Sequence, residues 1–129
     1  MVKVFIASRI GAKTKKQFAK NQYRMKAFAR FALIQGYEPE ATGIYYCQFM
    51  NDFEPKEREL GILRGQERLK ICAEIWVLED GPAFSEGVRR DRQIARENNI
   101  LEKLWNIDTV ENYLKNHDTY GYEMWLKSK

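Results

Sequence analysis

Four stretches of apolar, β-branched and aromatic residues alternate along this chain with segments whose apolar residues recur every three to four positions. That alternation limits the fold more than any other property. Strands separated by helices pair in parallel, and a parallel sheet needs both of its faces covered. Residues 2–7 (VKVFIA) predict a buried strand. Residues 16–35 predict a helix through Phe18, Met25, Phe28 and Ala32, stopped by Gly36. Residues 37–42 predict a short strand that Pro39 confines to an edge. Residues 56–70 predict a helix through Leu60, Leu63 and Leu69, and residues 71–78 the strongest strand of the chain. A helix over 85–98 follows with Ser85 as its N-cap, then a strand over 100–107 and a short helix over 110–115 capped by Asp108. Residues 116–129 form a tail whose Tyr120, Tyr122 and Trp125 would dock on the body or on a partner.

The expected product is one α/β domain over residues 1–129, a parallel sheet between two helical layers. In such sheets ligands bind beyond the carboxyl ends of the strands. The loops placed there are residues 8–14, 43–55 and 79–85. The middle one is aromatic and without period, and reads as an irregular lid over a pocket.

Several function classes drop out. No apolar run approaches the ~20 residues that span a bilayer, and no signal peptide is visible, so a cytoplasmic protein without a membrane partner is expected. Cys47 and Cys72 fit no metal or redox spacing and read as reduced thiols. His117, the single histidine, reads as a surface residue, which argues against a metal site or a Ser-His-Asp triad. Net charge is +4, unevenly spread. Residues 1–37 carry nine Lys/Arg and no acid, while the rest carries 13 basic and 18 acidic residues. A basic third attracts phosphates or nucleic acid, although a solvated helix face explains the same lysines.

Two of the three loops carry chemistry-bearing residues. Ser8, Arg9 and Gly11 follow the first strand, where a hydroxyl, a guanidinium and an approachable backbone suit a phosphate. The same residues also suit an ordinary strand–helix loop. Asp80, Ser85, Glu86 and Gly87 follow the third strand and put two carboxylates around one turn. A carboxylate at a pocket mouth can attack an electrophilic sugar carbon, with a second carboxyl handling the proton of the leaving base. Glu in a first helical turn is also a common dipole-complementing surface residue.

The strand VFIAS with its Ser-containing loop, Asn21, and the helix ending in Gly36-Tyr37-Glu38-Pro39 together resemble nucleoside 2-deoxyribosyltransferase-like proteins. The segments Glu57–Gly61, Cys72–Val77 and Ser85–Val88 fit the same superfamily, over roughly residues 2 to 106. The resemblance implies a flavodoxin-like three-layer fold with a four- or five-stranded sheet ordered 2-1-3-4. It implies Glu86 as nucleophile on the anomeric carbon, and Ser8, Arg9, Gly11 and Ser85 around a 5′-phosphate. Asp80 would match the second acid, Tyr45 or Tyr46 would supply a hydroxyl, and Gly87 completes the substrate loop. No cofactor or metal is implied, and a homodimer or higher homo-oligomer is. Two positions depart from the pattern. Ala73 stands where many members carry Asp, and Phe5 where transferases place Tyr. The expected activity is an N-glycosidase or deoxyribosyltransferase acting on a nucleoside or 5′-nucleotide. The alternatives are an inactive nucleotide-binding module and a basic nucleic-acid-associated accessory protein.

Overall fold

The computed structural model describes residues 1–129 and is built on a four-stranded, all-parallel sheet in the order β2-β1-β3-β4. The strands are β1 (Lys3–Ala7), β2 (Glu38–Glu40), β3 (Glu74–Glu79) and β4 (Leu101–Asn106). The helices are α1 (Lys15–Ile34), α2 (Thr42–Cys47), α3 (Pro55–Leu69), α4 (Glu86–Glu97), α5 (Ile107–His117) and α6 (Thr119–Lys127). The architecture is an α/β sandwich of flavodoxin-like topology.

The two central strands are buried on both faces, so their side chains sort by parity. Val4, Ile6, Trp76 and Leu78 point into a core with Met25, Phe28 and Phe31 of α1 and Val110 and Leu114 of α5. Phe5, Ala7, Ile75 and Val77 point the other way, onto Leu69 of α3 and Val88 and Ala95 of α4. The chain crosses from one face to the other between β2 and β3. The carboxyl ends of β1 and β3 are therefore the switch point at which a crevice opens.

Local chemistry explains most of the boundaries. The Thr14 hydroxyl accepts from the Gln17 N–H at 3.1 Å and starts α1, and Gly36 ends its C-terminal turn at φ +93°. The Glu54 carboxylate accepts from the Glu57 N–H at 2.9 Å, with Pro55 at the first position of α3. Ser85 caps α4 as expected, accepting from Val88 N–H at 3.3 Å.

Four expectations are corrected. Residues 42–47 are helical, not irregular, although the following residues to Glu54 form turns. Only Leu69 of the three leucines marked on α3 is buried. Leu60 and Leu63 are exposed, and the inner face is Arg58, Gly61, Ile62 and Gly65. Asn106, not Asp108, caps α5, because its side-chain oxygen accepts from the Asp108 N–H at 2.8 Å. Strand β3 begins at Glu74, after a turn that leaves Ile71 exposed and tucks Cys72 under α3.

The tail is a helix docked on the body. α6 packs along α1, burying Trp125, whose indole N–H donates to Glu111. Arg30 grips Asp118 through two hydrogen bonds of 2.7 and 2.9 Å. No helix is long and apolar enough to cross a membrane.

Candidate functional site

A small cleft of about 70 Å³, open to solvent on one side, lies at the carboxyl ends of β1 and β3, between α2, α3 and α4. Its floor is Phe5, and its walls include the small residues Gly11, Gly43, Gly61, Gly65 and Gly87. Gly65 lets α3 approach the start of α2 closely. A Cβ on Gly65 would stand 2.9 Å from the Thr42 hydroxyl, which leaves no room for a side chain.

The β1–α1 loop is shaped by Asn21, a buried residue of α1. Its amide donates to the carbonyls of Ile10 and Gly11 at 3.1 and 3.3 Å, and its oxygen accepts from Gln17. This turns Gly11 and Ser8 toward the cleft. Ser8 is 3% exposed, and its hydroxyl has no hydrogen-bond partner in the protein. A buried hydroxyl without a partner costs about 1–3 kcal/mol, so a ligand that satisfies it gains that much.

Of the residues singled out in the sequence, Ser8, Gly11, Ser85, Gly87 and Tyr46 line the cleft. Asp80, Arg9, Tyr45 and Glu86 do not. Arg9 donates to the Ala83 carbonyl at 3.0 Å, and Arg89 donates to Phe84 O at 2.8 Å, so both guanidiniums fasten the β3–α4 loop. Tyr45 is 60% exposed and lines a separate depression beside Arg68. The side chain of Glu86 is 62% exposed and stands 3.9 Å from Arg90 on the outer face of α4.

The carboxylate that α4 brings into the cleft is Asp91. It lies three residues after Val88 and four before Ala95, on the stripe of α4 that faces the sheet. Burial pushes its carboxyl up to about 7, against a weaker opposing pull from Arg90. Across the cleft are Asp52, raised by burial, and Arg58, 3.9 Å from it. The Arg58 guanidinium also comes close to Gly11. Cys47 lines the same cleft, but burial first and then Asp52 hold its thiol at about 11, so it is protonated and unreactive near neutrality. No three His, Cys, Asp or Glu side chains converge as a metal site would need.

Asp91, Asp52 and Arg58 escaped the sequence reading because each is polar on an otherwise inward-facing helix stripe or in an aperiodic loop. The available signal was the acid at position 91 breaking the apolar spacing between Val88 and Ala95.

The raised carboxyl predicts a pH effect on stability. Between the ordinary Asp value near 4 and about 7, the folded state holds a proton that the unfolded state has released, so stability falls as pH rises through that window. Asp91→Asn mimics the protonated acid. Its melting temperature is expected to match the parent below pH ~4, to gain on it progressively toward pH ~7 and then to hold a constant lead. Thermal melts across that range check it, and a lead that shrank with rising pH would contradict the assignment.

No curated protein and no solved structure matches the chain. A family model described as a domain of unknown function, DUF7768, matches residues 2–104, which run from the residue before β1 into β4. The chain belongs to the DUF7768 family.

Proposed function

We propose that the cleft binds a nucleoside or 5′-nucleotide and cleaves its N-glycosidic bond, with Asp91 rather than Glu86 as the carboxylate that acts on the sugar. The observation that carries this reading is the position of Asp91, lining a cleft at the switch point that also contains a buried serine hydroxyl without a partner. Arg58 is the cation available to a phosphate or to negative charge on the leaving base, since Arg9 is engaged with the Ala83 carbonyl. Ser8 and Ser85 supply hydroxyls for the same group.

The chemistry follows from two carboxyl groups in one cleft. Ionised Asp91 attacks the anomeric carbon. A C–O bond forms as the C–N bond breaks, and the bonding pair leaves with the base. The proton that the base takes up comes from water, and Asp52 across the cleft can orient that water. Water, or a second base, then displaces the carboxylate from the sugar. Asp91 must be ionised to attack, so base release is expected to rise with pH through about 7.

Ala73, the departure from the resembling family, is exposed and precedes β3, at the opposite end of that strand from the cleft. An acid there would not reach the sugar.

The test is chromatographic detection of free base from a panel of nucleosides and 5′-monophosphates. Asp91→Asn is expected to reduce release by at least about a thousandfold, the scale on which loss of a nucleophile acts. Glu86→Ala is expected to leave it close to the parent. Base release that survives Asp91→Asn, or its absence from every substrate, defeats the proposal.

A further inference from the structure

On the far side of α2 from the cleft runs a second groove, floored by α1 and walled by Ile44, Cys47 and Gln48. Cys47 lines both cavities. The α1 side presents Phe18, Gln22, Tyr23 and Lys26. Lys15, Phe18, Gln22 and Lys26 follow at helical spacing along one ridge, which rises about 16 Å. The Lys26 and Lys127 ammonium groups each lie 5.4 Å from the centroid of the Tyr23 ring, one from α1 and one from α6. At the other end Phe53 packs on Phe18 at 5.5 Å and is 43% exposed.

The α1 side of this groove carries charge of one sign only. Arg30, Arg68, Arg90 and Arg92 all hold carboxylates. Lys15, Lys16, Lys20, Lys26 and Lys127 hold none within 4 Å. No acid occurs anywhere in residues 1–37 to neutralise them. A solvated helix face would mix signs. Here lysines without a carboxylate partner stand over the Tyr23 ring, and the partly exposed Phe53 extends the aromatic surface from Phe18, as on a stacking platform inside an electrostatic funnel.

We propose that the α1–α2 groove binds a single-stranded nucleic acid, with Tyr23, Phe18 and Phe53 stacking bases and Lys15, Lys26 and Lys127 taking phosphates. This goes beyond the N-glycosidase reading and does not need it. An acidic peptide would use the lysines and leave the rings idle. A duplex has its bases stacked already and gains nothing from them.

Fluorescence anisotropy with labelled single-stranded DNA and RNA oligomers, the corresponding duplexes and polyglutamate tests it across a salt series. Single strands of one or both sugars are expected to bind tightest. The combined variant Lys26→Ala/Lys127→Ala is expected to flatten the salt dependence by about 0.7 logarithmic units per lysine lost. Tyr23→Leu is expected to weaken binding about tenfold with the salt slope unchanged. Melting curves establish that each variant is folded. No binding of single strands at low salt overturns the proposal, as does equal binding of polyglutamate or duplex, or binding indifferent to these substitutions in folded protein. Base release from mononucleotides by the lysine variants is measured alongside, so that failure of the groove and failure of the cleft chemistry are told apart.

Discussion

A chain shortened to end at His117 is expected to lose its cooperative unfolding transition and to expose apolar surface. The twelve residues removed contain all of α6. Trp125 is 1% exposed and sits in the core cluster with Phe28, Val110 and Leu114. Arg24 lies 4.2 Å over its ring and also donates to the Ser128 hydroxyl at 2.9 Å. Removing one buried tryptophan side chain costs about 3–5 kcal/mol. Deleting the helix also bares the faces of α1 and α5 that it covered and strands the Arg30 guanidinium that Asp118 had held. A domain of this size has roughly 5–15 kcal/mol to lose. Calorimetry and a dye that reports exposed apolar surface check it. A sharp transition near the parent temperature in the shortened chain would show that α6 is an ornament rather than part of the core.

Trp76→Ala is expected to destabilise by about 3–5 kcal/mol, which for a chain of this length lowers the melting temperature by roughly 10–20 °C. Trp76 is fully buried on β3. Its ring meets Trp105 at 4.8 Å, Tyr37 at 4.9 Å and Phe31 at 5.9 Å, tying β4, α1 and the link into β2 to one strand. Its indole N–H donates to Glu74 at 2.9 Å, and Glu74 in turn holds Lys103 of β4 at 3.2 Å. The hole left by alanine is bounded by rigid rings that cannot collapse into it. Trp76→Phe keeps most of the area and loses the hydrogen bond, so it is expected to cost much less. Equal losses in the two variants would mean that the hydrogen bond, not the packing, holds this corner together.

How much of this was legible beforehand depends on the kind of signal. The strands β1 and β3, the long helix α1 and the alternation that forces a parallel sheet are all encoded locally. They rest on side-chain period and on punctuation such as Gly36 and Ser85. Helix α2 was not legible, because six residues containing Gly43 and two tyrosines show no apolar period and are held by packing between α1 and α3. The cap of α5 turned on a choice between two polar residues on either side of Ile107. Asn106, two positions ahead of Asp108, reached the free N–H because the strand leading into it fixes its backbone.

The candidate site divides the same way. The sequence by itself determined that the loops after β1 and β3 would meet at the carboxyl end of the sheet, because chain order and crossover handedness place them together. It also placed Ser8, Gly11, Ser85 and Gly87 there. Only the tertiary structure decided which carboxylate faces inward. Glu86 and Asp91 are five residues apart on one helix, and the rotation of α4 about its axis sends the first to solvent beside Arg90 and the second into the cleft. That rotation is set by Val88 and Ala95 burying themselves against the sheet. The closeness of α3 to α2 was likewise a tertiary matter, since a Cβ on Gly65 would stand 2.9 Å from the Thr42 hydroxyl. Periodicity tells which residues share a stripe; the packing of that stripe against its neighbours tells what the stripe can do.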